Sequence, residues 1–573
     1  MRVADIDHWV VLFCALLASG CSREAGKQPE SDAAVGPAWF SDATDELKLD
    51  FVHDSGPVDG EYFMPQINGS GAALFDFNND GRLDIYLLQF GGPESKARNA
   101  LFAQLDDGTF ANVSADSGLD IGGYNHGVAA GDVNNDGWID LVVTQYEGIR
   151  LFLNQGDGTF ADATERADLT NPYWGASASF LDYDRDGWLD LVVVNYLVFD
   201  KTRHCAGRAG RRDYCLPNAF PRAPTRLFRN RGATAESGWQ GFEDRTTEAG
   251  LNKLGPGMGT VCADFSGDHW PDIFVANDLA ANHLWVNQHD GTFREEAAQR
   301  GLAHNSFGAT ESNMGTAYGD VDHDGRLDLL VTHFTNENHG LWKQSTTGLF
   351  QEQSIAAGLS RCEWHGTAWG AALADFDLDG SLDIALVNGF VQRRDAPSDS
   401  FWDDYRDRNQ LFANDGTGHF QDISSDNPDF CGRKNVARGL CVGDIDGDGR
   451  LDLLVTSIGE RARIFKNVAP RPGHWLMVRA YDGQLHRDAI GAEVHVMAGN
   501  RNWNCVVQPC QSYQCSNDSR VHVGLGTADR VDTIEVIWPD GMSERFDCPS
   551  VDLVLQLERG RGTPVQINQE PTQ

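Results

Sequence analysis

The sequence predicts an all-β protein, a seven-bladed β-propeller followed by a small β-sandwich. Three observations predict it. A nine-residue pattern, Asp76-Phe-Asn78-Asn-Asp80-Gly81-Arg-Leu-Asp84, recurs with first residues Asp132, Asp182, Asp264, Asp320, Asp375 and Asp444. Each copy lies between small-residue and apolar runs such as Leu141-Val-Val-Thr, bounded by Asp, Gly and Asn turns, so each unit reads as about four short antiparallel strands. Four-stranded sheets repeated radially are propeller blades. After the last copy, Trp475-Leu-Met-Val, Ala492-Glu-Val-His-Val, Arg520-Val-His-Val and Thr533-Ile-Glu-Val-Ile-Trp alternate apolar and polar residues, the mark of half-buried strands.

Residues 1–20 resemble a bacterial lipoprotein signal peptide. The apolar run from Trp9 to Ala18 is too short to span a bilayer as a helix and ends in Ala18-Ser19-Gly20 before Cys21. The resemblance implies cleavage before Cys21, acyl chains on that cysteine, and an exported protein held at the outer membrane or cell surface. It departs from the usual signal in its single leading Arg beside Asp5 and Asp7 and in Ala18 where Leu is common. Residues 21–37 are small and polar and read as a flexible tether.

The propeller is expected over 38–469. Its seventh unit runs through Phe465 and Asn467 and then lacks an outer Gly-x-Phe strand, whereas Trp39-Phe40-Ser-Asp42-Ala-Thr44 has the form of that strand. The N-terminus is therefore expected to complete the last blade and remove an open edge. Gly71, Gly127, Gly259, Gly315, Gly370 and Gly439 stand five residues before the first Asp of six copies, with Ser177 in the other, marking inner strands where only a small side chain fits. Pro470-Arg-Pro472-Gly473 reads as a hinge to a β domain over 470–560, with a polar tail over 561–573.

The chain carries 84 Asp and Glu against 46 Lys and Arg, a net charge of −38, which argues against nucleic acid as a partner. The repeats explain most of the excess. Positions one, three, five and nine of each copy are oxygen donors: Asp76, Asn78, Asp80 and Asp84; Asp132, Asn134, Asp136 and Asp140; Asp182, Asp184, Asp186 and Asp190; Asp264, Ser266, Asp268 and Asp272; Asp320, Asp322, Asp324 and Asp328; Asp375, Asp377, Asp379 and Asp383; Asp444, Asp446, Asp448 and Asp452. Oxygen-only donors folded back by a Gly at position six suit Ca²⁺, which takes six to eight oxygens, and up to seven sites are expected. Clustered carboxylates repel without a cation, so the ion is expected to be part of the folding free energy. The fourth copy is the irregular one, with Ser266 for a carboxylate and His269 in place of Gly.

These repeats resemble the FG-GAP (VCBS) calcium-binding repeats of integrin-α type. Arg487-Asp-Ala-Ile-Gly491, Ser512-Tyr-Gln-Cys-Ser516, Val523-Gly-Leu-Gly526 and Val536-Ile-Trp-Pro-Asp-Gly541 are similar to an ASPIC/UnbV domain. Together they make the chain similar to the bacterial relatives of cartilage acidic protein, and the resemblance implies ions in loops between strands.

For an exported chain, cysteines are expected to pair: Cys205 with Cys215 as neighbours in one insert, local staples among Cys505, Cys510, Cys515 and Cys548, and Cys362 with Cys431 across two blades. Cys262 and Cys441 read as disulfide partners or buried thiols. No GxSxG, P-loop, Rossmann or HExxH signature is present. One constellation stands before the inner-strand glycines: Ser70, His126, Ala176, Met258, Met314, Trp369 and Arg438, with Trp174 and His365 nearby. It reads either as filler of the tapering centre or, through one His and two Met, as a soft-metal site. The leading functional expectation is a binding or interaction protein for a protein or glycan ligand, touching a membrane only through its lipid. The alternative is an enzyme, either a calcium-dependent polysaccharide-modifying propeller or a transition-metal catalyst in the channel.

Overall fold

The computed structural model describes residues 36–207, 210–394, 400–470 and 473–565. Cys21, the signal segment, residues 21–35 of the tether and the hinge residues Arg471 and Pro472 lie outside them. Among the described residues, seven four-stranded antiparallel sheets form blades with inner strands Ala72–Phe75, Asn125–Gly131, Gly175–Leu181, Gly257–Ala263, Thr316–Gly319, Ala368–Ala374 and Ala437–Gly443. Inner strands of consecutive blades touch around a closed cycle. The closure is the expected one: Phe40–Asp42 is the outer strand of blade seven, with Phe40 opposite Asn467 and Asp42 opposite Phe465. A segment before the first blade is thereby paired to the last blade, which completes its four strands and closes the ring.

Apolar residues of facing sheets fill the spaces between blades. Phe180, Leu191 and Phe228 of blade three meet Ala129, Val142 and Leu151 of blade two, all fully buried or nearly so. The inner-strand glycines are forced by close approach. A Cβ at Gly315 would lie 1.9 Å from the Trp369 carbonyl oxygen, and one at Gly259 2.4 Å from that of Met314.

The C-terminal region is a sandwich. His474–Asp482 pairs with Arg487–Asp488, Val521–Gly526 and, in parallel, Leu553–Glu558; the second sheet runs Arg501–Val506, Glu493–Ala498, Thr533–Ile537, Ser543–Phe546 and Thr563–Val565. Val478, Val496, Val523 and Ile534 are buried between the two sheets. The tail expected from residue 561 instead begins with Thr563–Val565, whose backbone finishes the edge beside Ser543–Phe546.

The cysteines depart from expectation. Cys205–Cys215 is the one disulfide among the described residues. Cys362 and Cys431 are free thiols, as are Cys505, Cys510, Cys515 and Cys548. The four C-terminal cysteines are close in sequence yet sit on different elements. Cys505 is on a sandwich strand, Cys510 and Cys515 are in a buried loop, and the Cys548 thiol meets the Ser550 carbonyl oxygen at 3.0 Å. Cys262 and Cys441 are buried thiols.

Candidate functional site

Each nine-residue pattern is the hairpin between an inner strand and the next, and its ninth residue is the first of the second strand. Positions four and six take left-handed backbone throughout, as at Asn79 and Gly81, Asn135 and Gly137, and Arg185 and Gly187. The fourth copy keeps this path with the residues exchanged: Gly267 has φ +83° and His269 +65°. The Gly expected at position six has moved to position four, and His269 bears the conformation that favours glycine. His269 Nδ1 lies 2.9 Å from Glu493 Oε1 of the sandwich.

The first and ninth carboxylates are hooked to the backbone. Asp182 accepts from the N–H groups of Asp186 and Gly187, and Asp320 from those of Asp324 and Gly325. Asp190 takes the N–H of Tyr183 at 3.1 Å and of Asn230 at 2.7 Å; Asp328 takes those of Val321 and Gln344 at 3.2 and 3.0 Å. The same double acceptance recurs at Asp84, Asp140, Asp272, Asp383 and Asp452. Position nine thus ties three of the four strands of a blade together and is a structural clip as well as an oxygen donor.

Positions one, three and nine converge in four loops. Carboxylate oxygens of Asp182, Asp184 and Asp190, of Asp320, Asp322 and Asp328, of Asp375, Asp377 and Asp383, and of Asp444, Asp446 and Asp452 lie within 4.8 Å of one another. Asp184 Oδ1 and Asp322 Oδ1 are buried without a hydrogen-bond partner, while their Oδ2 atoms meet Arg229 and Lys343. Loops one and two put an amide at position three, and Asn78 and Asn134 donate it to Asp80 and Asp136. Position-five carboxylates turn outward: Asp186 and Asp324 accept from Trp188 N–H and Arg326 N–H and pair with Arg229 and Arg326. In the fourth loop the converging groups are Asp264, His269 and Glu493, with Ser266 donating its backbone N–H to Asp272.

Burial drives these carboxyls upward, to about 6 for Asp132, Asp264 and Asp444, about 7 for Asp84 and Asp182 and about 8 for Asp328. A carboxyl whose folded value is raised favours folding while protonated and loses that contribution as pH rises through the raised value. Metal-free protein is therefore expected to lose thermal stability between about pH 4 and 8, checked by melting curves in chelator. A flat profile would contradict the assignment.

Positions nine and three are also expected to separate. Asp328→Ala orphans two buried N–H groups and should cost roughly 2–6 kcal/mol with or without calcium. Asp322→Ala should cost stability only when calcium is present and, by relieving repulsion with Asp320 and Asp328, should leave the metal-free protein as stable or more so. Chemical denaturation in both conditions tests this.

The sandwich docks on the loop face. Carbonyl oxygens of position-six glycines accept hydrogen bonds from it: Gly187 from Arg487, Gly325 from Asn504, Gly380 from Trp503 and Gly449 from His522. A segment of the sandwich, residues 508–517, then enters the axis and reaches all seven inner strands. Leu74 N–H and Val128 N–H donate to the carbonyls of Ser516 and Gln514, and Thr316 and Ser512 exchange backbone bonds in both directions. Gln508 Nε2 donates to Phe180 O and Cys262 O, Ala371 N–H to Ser512 Oγ, and Val442 N–H to Asn517 Oδ1. Ser512 and Gln514 hold left-handed backbone to do so, with φ +75° and +62°.

The axial constellation is enclosed. His126, Met258, Met314, Trp369 and Arg438 are at most 1% exposed. Tyr513 packs 5.0 Å from Trp369, which also carries the Arg438 guanidinium at 4.0 Å, and His126 stacks on Trp174 at 5.7 Å. Arg438 donates to the backbone carbonyls of Ile67, Ala437 and Gly389. Ser70 Oγ donates to the Asn125 carbonyl and accepts from His53 Nε2–H, whose Nδ1 accepts from Gly459 N–H. His365 is not at the axis; it is exposed on the face away from the sandwich. That end is closed by Met64–Asn68 and two inserts, with Tyr214 donating to Gln66 Oε1 and Tyr405 to Asp213 Oδ1. The plug had only a weak signal in sequence, a polar and aromatic run, Gln508 to Asn517, without strand alternation.

Comparison with known proteins agrees with this arrangement. The FG-GAP-like repeat model matches residues 76–143, 132–193, 264–331 and 399–455, and the ASPIC and UnbV model matches residues 482–564. The chain is 25% identical over 332 residues to cartilage acidic protein 1 of Homo sapiens, covering 55% of this chain and 46% of that protein. It is 26% identical over 307 residues to the Xenopus tropicalis protein, covering 51% and 43%. The aligned region spans about half the length of these relatives. Solved structures with a similar fold include an Agrocybe aegerita lectin that recognises non-reducing terminal N-acetylglucosamine, at TM-score 0.39, 16% identity and 70% and 94% coverage of the two chains. YCF48 bound to D1 peptide gives TM-score 0.39, 7% identity and coverage of 70% and 91%. The chain carries FG-GAP-like repeats followed by an ASPIC and UnbV domain and is similar to cartilage acidic protein 1 over about half of that protein's length.

Proposed function

We propose that the protein is an exported calcium-binding interaction protein, anchored to the outer membrane or cell surface through a lipid on Cys21, that presents a rigid propeller to a protein or glycan ligand. The observation that carries the binding reading is the closure of the axis at both ends. A channel catalyst would need His126, Met258 and Met314 to meet substrate, and all three are enclosed. What is left to contact a partner is loop surface on a scaffold.

The donor set supports calcium. The acidic loops offer oxygens, two of them buried and unpartnered, and contain no thiol. Bound there, Ca²⁺ supplies positive charge that cross-links the ends of the inner hairpin. Asp182, Asp184 and Asp190, and their equivalents in blades five, six and seven, would hold it; Asp76, Asn78, Asp84 and Asp132, Asn134, Asp140 offer an amide oxygen in place of the third carboxylate. Neutralising these loops also relieves repulsion next to the carbonyls on which the sandwich docks.

The test is a ligand screen of the calcium-loaded full chain against envelope glycans and co-exported proteins, with metal analysis of the same preparation. A saturable ligand and calcium as the bound metal are expected. Stoichiometric copper or iron lost on His126→Ala, with turnover of a substrate, would overturn the reading. Membrane attachment is read separately, by release of Cys21→Ser into the soluble fraction.

A further inference from the structure

In a chain of net charge −38, one surface concavity is cationic. On the face away from the sandwich, a cleft of about 530 Å³ opens among the connections of blades five, six and seven. Its volume is within the roughly 300–1,000 Å³ usual for small-molecule sites. Arg394, Arg408 and Lys434 line it, are exposed, and form no ion pair among the described residues. Arg393 beside them is committed to Asp404 at 2.8 Å and to the Tyr62 hydroxyl at 3.0 Å.

The one carboxylate in the lining, Asp407, is buried. Its oxygens accept the N–H groups of Arg408 at 2.9 Å and Thr367 at 3.3 Å, so it serves the wall. The cations are held against aromatic rings: Arg394 lies 4.5 Å from the Phe390 centroid and Arg408 5.4 Å from that of Trp364. Trp364 is itself fixed, donating Nε1–H to the Arg408 carbonyl at 3.3 Å. Thr335, Asn336 and Gln392 add neutral hydrogen-bonding groups.

Guanidinium forks with no ion-pair partner, held in place by the rings beneath them, select carboxylates, and the amide and hydroxyl groups match ring hydroxyls. An acidic peptide offers carboxylates to the guanidinium groups but no ring hydroxyls to Thr335, Asn336 and Gln392. A nucleic acid would meet the field of the whole chain. We infer that this cleft binds an acidic oligosaccharide of the uronate class. The inference rests on the binding-protein reading and assigns its ligand chemistry and place.

The probe is tetragalacturonate, titrated calorimetrically into the calcium-loaded full chain at physiological salt. Its carboxyl-reduced counterpart and a hexaglutamate peptide are the comparisons. Saturable binding of the acidic sugar is expected, at least ten-fold weaker for the reduced sugar, for the peptide, and for the triple variant Arg394→Gln, Arg408→Gln, Lys434→Gln. The substituted side chains are exposed, so the melting temperature should be unchanged; Arg408→Gln alone should weaken binding several-fold. No saturable binding, equal binding of the reduced sugar or peptide, or full affinity in the variants would overturn the assignment. A ligand from the screen that binds wild type and triple variant equally would remove the cleft and leave the binding-protein reading standing. No ligand in either experiment would remove both.

Discussion

Chelating divalent ions from the purified protein is expected to lower its melting temperature by roughly 10 °C or more and to broaden its single transition. A site at hundredfold ligand excess adds about 2.7 kcal/mol. The four three-carboxylate loops together therefore contribute on the order of 10 kcal/mol, and a chain this long shifts by less per kcal/mol than the roughly 2–4 °C seen in domains of 150–250 residues. Affinities on the order of 10⁻⁴ to 10⁻³ M, as in extracellular modules, put this hundredfold excess at roughly 10–100 mM calcium. Calcium should restore the transition and Mg²⁺ should not, since Mg²⁺ demands a tighter octahedral shell. Calorimetry with and without chelator decides the matter, and an unchanged melt with no ion returning on titration would refute the metal assignment.

The chelated state should also loosen the sandwich. Gly187, Gly325, Gly380 and Gly449 accept their interdomain hydrogen bonds within the loops that lose the ion. Faster amide exchange at Arg501–Val506 and at the inner strands is the expected sign.

Removing the plug is expected to have the second large effect. Tyr513 is fully buried against Trp369, and Tyr513→Ala should cost about 3–5 kcal/mol, as for large aromatic truncations in cores. Replacing residues 510–516 by a Gly-Ser linker removes the plug's buried side chains, and with them the packing that holds its backbone against the inner strands, and should separate propeller and sandwich into two transitions. Gly71→Val approaches the same interface from the other side. Its Cβ would lie 1.8 Å from the Gln514 carbonyl oxygen, so either blade one or the plug must move. Calorimetry of the three variants tests this. One unaltered transition in all of them would mean that the axis is filled without being stabilised by its filling.

The blade pattern and the closure by Phe40–Asp42 were legible because they follow from local chemistry: apolar period, turn residues and a missing strand. The fourth loop was only half legible. His269 read as a defect, but backbone geometry is set by which positions need positive φ, and Gly267 had taken over one of them. The cysteines were misjudged because closeness in sequence stood in for closeness in space; Cys510 and Cys515 went into the plug while Cys505 stayed on a strand and Cys548 in a loop after one. Of the residues expected at the axis, Ser70, His126, Met258, Met314, Trp369 and Arg438 are buried, whereas His365 is exposed.

The sequence by itself determined the repeat, the oxygen-donor loops and the all-β architecture, since each is written in residues less than a blade apart. Only the tertiary structure decided that the axis is not a channel and that an acidic protein carries a cationic cleft. Those features join residues tens to hundreds of positions apart, such as Thr367 with Lys434 and Gln514 with Val128, and no local spacing encodes which distant side chains will share a space.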